Sequence, residues 1–179
     1  MAAKRYLLVD GYNIVFAWDK LAKLAAYSLE DARKKLCDIL CDYQGTTTLN
    51  IIVVFDAHMV EGGHGSVEPY YNITVVFTKE AETADHYIEH TTRKLSKRDS
   101  VTVATSDRLE QIIILSHGAQ RISATDLRDN IRAAKNRLKE RYLNVKPVKN
   151  NPLVGLLDPE TAKKLEELRF GKKDETKDD

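Results

Sequence analysis

Several acidic side chains stand where apolar runs end or a helical pattern begins. Asp10 closes "YLLVD", Asp56 closes "IIVVFD", and Asp107 follows "VTVATS". The segment "KEAETADHYIEH" adds Glu82 and Asp85, three residues apart and so predicted to share one helical face. Carboxylates gathered within a few ångströms repel one another, and some take up protons unless a cation neutralises them. Hard cations prefer carboxylate and water oxygens, which points to Mg2+ or Mn2+. Such an ion lowers the pKa of bound water, holds a phosphate oxygen and steadies a departing alkoxide. Asn13 brings an amide that can orient a carboxylate or donate to a phosphate oxygen. Gly11 is expected to let the chain turn sharply and a ligand approach the backbone. A single Asp after a strand is ordinary turn or cap chemistry. Three strand ends with a helix-borne acid are harder to read that way.

The elements that must position these groups follow from the apolar runs. Tyr6–Val9, Ile51–Phe55, Thr74–Phe77 and Val101–Ala104 are rich in Val and Ile and hardly alternate, as strands covered on both faces do. A brief fifth strand is predicted around Arg121 and Ile122. Between the runs lie helical patterns: one opened by the capping box Ser28-Leu29-Glu30-Asp31, one over about 82–96, one from Ser106 to a stop at Gly118, and a long one capped by Ser123 or Thr125 and reaching about Tyr142. Alternating strands and helices predict a parallel α/β sheet, whose ligands bind outside the carboxyl ends of the strands. "HMVEGGHGSVEPYYN", His58 to Asn72, reads as a long polar surface loop. Asp158-Pro159-Glu160 starts a further helix, and "GKKDETKDD" reads as a disordered tail.

The totals exclude several classes. With 179 residues, 42% hydrophobic and 31% charged, the chain has the profile of an ordinary globular protein. Its formal net charge of +1 means that any surface for a polyanion must be a local patch. No apolar run reaches membrane-spanning length and no signal-peptide pattern opens the chain, so a cytoplasmic protein is expected. Cys37 and Cys41 stand at i,i+4 with no further Cys to complete a zinc site, and read as reduced, packed thiols. His86 and His90 lack the order of a zincin motif and read as surface residues. An aspartyl-phosphate nucleophile at Asp10 normally has a second acid two residues on, where this chain has Tyr12. A Rossmann oxidoreductase would need a Gly-rich turn that is absent.

Taken together, "LLVDGYNIVFAW", "VVFDAH", "TKEAETADHYIEH" and "VTVATSDRLEQIIILSHGAQRISATDL" resemble the NYN-domain nucleases, specifically the bacterial YacP-like branch of the PIN-like superfamily. The resemblance implies a PIN-like three-layer α/β/α sandwich with a central, mostly parallel sheet. It implies a divalent-metal endoribonuclease leaving 5′-phosphate ends, in a branch with a member that cuts messenger RNA in the ribosomal A site. Carried over by motif, Asp10, Asp85 and Asp107 are the metal ligands, Asn13 the supporting polar group, and Asp56 and Glu82 either alternate ligands or acids that support the ligands. RNA and the ribosome are the implied partners of a monomer.

From Arg128 to Lys149 eight bases against two acids leave a local excess of about +6. Arg128, Arg132, Lys135, Arg137 and Lys139 are candidate phosphate contacts, or else a solvated helix face. A non-catalytic RNA- or ribosome-binding module with the same fold is the competing reading. The expected division is a nuclease domain over 1–146, an extension with a helix over 147–170, and the tail over 171–179.

Overall fold

The computed structural model describes residues 3–56, 64–79, 82–106, 118–143, 160, 161, 163 and 164. By its contacts the chain divides into two units, residues 1–140 and 141–179. The first carries the sheet. In the second, Glu160, Thr161, Lys163 and Lys164 are helical.

Among the described residues six strands form one sheet: β1 (Arg5–Asp10), β2 (Leu49–Phe55), β3 (His64–Tyr70), β4 (Ile73–Lys79), β5 (Ser100–Ala104) and β6 (Gln120–Ile122), in the spatial order β3-β4-β2-β1-β5-β6. Every pairing is parallel except β3 with β4. The apolar runs form the inner strands because successive side chains point to opposite faces and both faces are covered. Leu7, Val9, Ile51, Val53, Phe55, Ile73 and Val75 enter one buried cluster, while Leu8, Val54, Val76, Val101 and Val103 enter another. Helices α1 (Gly11–Ala17), α2 (Asp19–Ala25), α3 (Leu29–Gly45) and α5 (Ala124–Leu143) give core residues to the first cluster, through Ile14, Leu21, Leu36 and Leu127. Helix α4 (Ala84–Leu95) gives Ala84 and Ile88 to the second. The result is the expected three-layer α/β/α arrangement.

Capping explains where the helices begin. The Ser28 hydroxyl accepts from the Asp31 N–H at 3.1 Å and opens α3. Ser123, rather than Thr125, opens α5: its hydroxyl accepts from the Asp126 N–H at 3.1 Å while its own N–H donates to the Asp126 carboxylate at 3.2 Å.

Three expectations are corrected. Part of the predicted loop, His64–Tyr70, is an edge strand; Gly65 lies at φ +74°, and polar residues with a Pro are what an edge with one neighbour tolerates. Glu82 does not lie in the first turn of α4, because Thr83 is the cap, accepting from the His86 N–H at 3.3 Å. Helices α1 and α2 add to the expected elements; at seven residues each they are too short to show a helical period. The predicted helix from Ser106 to Gly118 falls largely outside the described residues.

Candidate functional site

The chain lays β2 and β4 on one side of β1 and then crosses to place β5 on the other. The direction of strand order therefore switches between β1 and β5, and the crevice beyond their carboxyl ends is where an open α/β sheet binds ligands. Asp10 ends β1 at that point. It is 9% exposed, and it is the one charged residue that is buried among the described residues; the other buried polar residues are Thr78, Thr92 and Thr105. Its carboxylate caps α1 by accepting from the Asn13 N–H at 3.2 Å. A buried ionised carboxylate is costly unless donors or a cation compensate it, which marks the position as chemically special.

Asn13 closes the crevice. Its side-chain oxygen accepts from the Ser106 N–H at 2.8 Å, joining the start of α1 to the chain that leaves β5. The Ser106 hydroxyl accepts in turn from the Ala124 N–H at 3.4 Å, at the start of α5. Just beyond, the buried Trp18 indole N–H donates to the Ala124 carbonyl at 2.9 Å. Asp107, the next residue after Ser106, lies outside the described residues.

Asp56 follows β2 directly. Asp10 pairs in register with Val54, so Asp56 stands two residues further along the adjacent strand, roughly 8 Å away between Cα atoms. Its carboxylate accepts from the Ala84 N–H at 3.4 Å and so ties the end of β2 to the start of α4. Asp85, in the first turn of that helix, is exposed, and Glu82 is half-buried just before the cap. The topology thus brings Asp10, Asp56, Glu82 and Asp85 to one edge. Among the described residues, however, no three His, Cys, Asp or Glu side chains are grouped closely enough to hold a metal ion. The donor set, carboxylates with one amide, is nevertheless of the all-oxygen kind that suits Mg2+ or Mn2+.

Gly11 has a different role from the expected one. A Cβ there would lie 2.3 Å from a Phe55 ring carbon, so the glycine makes room for that ring rather than for a sharp turn. Phe55 packs edge-on against Tyr12, with ring centroids 5.2 Å apart, and stacks on Phe77 at 5.7 Å. The Tyr12 hydroxyl accepts from the Arg33 guanidinium at 2.9 Å. Burial raises the Tyr12 pKa; the Arg33 hydrogen bond and charge oppose this, and the Asp56 charge adds to it. Sequence reasoning does not single out Tyr12 or Arg33, because their contact spans 21 residues and leaves no local pattern.

The five candidate phosphate contacts, Arg128, Arg132, Lys135, Arg137 and Lys139, are all exposed on α5. Arg132 reaches Asp129 at 3.7 Å on the surface, an interaction worth little in water. Arg128, Arg132 and Lys135 also border a groove of about 610 Å³, with Lys20 and Lys35 opposite and Leu21, Leu24, Ile39 and Ile131 among its apolar lining. His86 and His90 are exposed, as expected of surface residues. Cys37 and Cys41 are free thiols. Among the described residues no helix is long and apolar enough to cross a membrane.

Comparison with known proteins agrees with this architecture. The YacP-like NYN domain matches residues 7–170. The protein YacP of Bacillus subtilis (strain 168), itself called uncharacterized, is 39% identical over 166 residues, which span 92% of this chain and 96% of that protein. A crystal structure of Rae1 (YacP) from Bacillus subtilis superimposes with a TM-score of 0.67 at 38% identity, covering 98% of each chain. A point mutant of it gives 0.67 at 34% identity, covering 91% of this chain and 99% of that one. The fold is that of the PIN-like nucleases, a class that generally works with divalent metal ions and RNA. The chain belongs to the YacP-like NYN domain family.

Proposed function

We propose that this protein is an endoribonuclease that hydrolyses RNA phosphodiester bonds with the help of Mg2+ or Mn2+, acting on messenger RNA in the ribosomal A site. The observation that carries the reading is Asp10, the one charged-type side chain buried among the described residues, at the topological switch point of a nuclease-family sheet. Asp10, Asp85 and Asp107 would hold the ion, with Asp56 and Glu82 beside them. When bound, the ion would activate water and neutralise charge on the phosphate. Asn13 holds the chain leaving β5 against α1 through Ser106, the residue before Asp107. Hydrolysis breaks the bond between phosphorus and the 3′-oxygen; water supplies a hydroxyl to phosphorus and a proton to the leaving oxygen. The products are a 5′-phosphate and a 3′-hydroxyl. Exposed Arg128, Arg132, Lys135, Arg137 and Lys139 would hold RNA phosphates at the surface. The nuclease domain would span 1–146, followed by the extension over 147–170 and the tail over 171–179, in a cytoplasmic monomer.

The test incubates the protein with translating ribosomes and maps RNA ends with Mg2+ or with EDTA, for the wild type and Asp10→Asn. Metal-dependent cuts bearing 5′-phosphates and lost in the variant are expected. Cyclic-phosphate ends made in EDTA would overturn the metal reading. Ribosome binding without cuts in any translation state would leave a binding module instead.

A further inference from the structure

Arg33 sits on α3 with its guanidinium 5.9 Å from the centre of the Phe77 ring and 2.9 Å from the Tyr12 hydroxyl. It is half-buried and makes no ion pair among the described residues. One hydrogen bond to a phenol uses one of the five guanidinium donors. A half-buried cation held by an aromatic face and a hydroxyl, with no carboxylate partner among the described residues, is an arrangement that suits an arriving anion. Its anchor, Tyr12, is two residues beyond Asp10 and lies within reach of the Asp56 charge. Phe16 packs on the same anchor, stacked on the Tyr12 ring with centroids 6.3 Å apart and planes 24° off parallel. Phe16 is 51% exposed, although most large apolar side chains of α1 are buried.

We infer that Arg33 and Phe16, joined through Tyr12, form a landing site for one nucleotide of single-stranded RNA, the guanidinium taking a phosphate and the phenyl ring a base. The inference rests on the nuclease reading for its substrate class and deepens it by selecting strand state. An exposed ring stacks on any unpaired base, whereas bases inside a duplex keep their faces covered. The cation also offsets the repulsion that the acidic edge would exert on an incoming backbone. The competing account of the same geometry is that Arg33 only packs the end of the sheet.

Binding in EDTA separates the two, because no cutting is needed. The probes are a fluorescein-labelled oligouridylate of eight nucleotides and a blunt RNA duplex of twelve base pairs, measured by anisotropy across a salt series. Phe16→Ala, an exposed truncation, is expected to weaken oligouridylate binding about tenfold with an unchanged salt slope. Arg33→Met is expected to weaken it and to lower the salt slope by about 0.7, the loss of one single-strand phosphate contact. Arg33→Lys, which keeps the charge and guards against a folding defect in the Met variant, is expected to restore the slope but not the full affinity. Duplex binding should change little in all three. Unchanged oligouridylate affinity in both Phe16→Ala and Arg33→Lys overturns the inference, as does equal weakening on the duplex. If these effects appear while the wild type cuts no RNA in Mg2+, the hydrolase proposal fails and the nucleotide site stands. If the wild type cuts and the variants cut with the same KM, the reverse holds.

Discussion

Replacing Gly11 by Ala tests the packing that sets the end of β1. The added methyl would stand 2.3, 2.4 and 2.9 Å from three carbons of the Phe55 ring. That ring is fully buried and wedged between Tyr12 and Phe77, so it cannot swing away freely. Overpacking of this kind costs about 1–3 kcal/mol. Alanine is a better helix former than glycine, by up to about 1 kcal/mol in a helix interior and less at the first helical position. The net loss should be about 1–2 kcal/mol, a fall in Tm of about 2–8 °C for a protein of this size. Thermal unfolding by circular dichroism measures it. Combining Gly11→Ala with Phe55→Leu should recover about 1 kcal/mol relative to the sum of the single changes, since the smaller side chain vacates the space. A Gly11→Ala protein as stable as the wild type, or strictly additive changes, would refute the argument that the glycine exists for the ring.

Two further outcomes are expected. Asn13→Ala removes the acceptor of the 2.8 Å bond from the Ser106 N–H, with a stability loss of about 1–2 kcal/mol. Urea unfolding of the variant beside the wild type measures this loss, and an unchanged midpoint would show that the bond does not hold the two segments together. Burial lifts the Cys37 thiol from 9.0 to about 12. Because the unfolded thiol ionises first, this stabilising term is complete below pH 9 and is lost as pH rises towards 12. Stability followed over that range should fall less steeply in Cys37→Ala, and an identical slope would show that the thiol is not what titrates.

The inner strands were legible because each is a Val- and Ile-rich run covered on both faces, and Asp10 and Asp56 were legible because a carboxylate stands out at the end of such a run. "HGSVEPY" hid its strand because an edge position, paired only with β4, does not demand apolar residues. Helical spacing puts Glu82 inside a helix that Thr83 in fact opens one residue later, an offset that spacing alone cannot resolve. The contacts that shape the site were hidden for another reason. Asn13 meets Ser106 across 93 residues and Tyr12 meets Arg33 across 21, and nothing in either local stretch announces its partner. Gly11 shows the same limit: a glycine after Asp suggests a turn, and only the packed structure reveals the Phe55 ring in its place.

Under the proposed function Asp10, with Asp85 and Asp107, holds a divalent ion at the carboxyl edge of the sheet. Crystals soaked in Mn2+ and measured for anomalous scattering test this most directly. A peak bonded to the Asp10 carboxylate and absent in Asp10→Asn is expected; Mn2+ bound elsewhere while Asp10 stays uncoordinated would overturn the metal proposal.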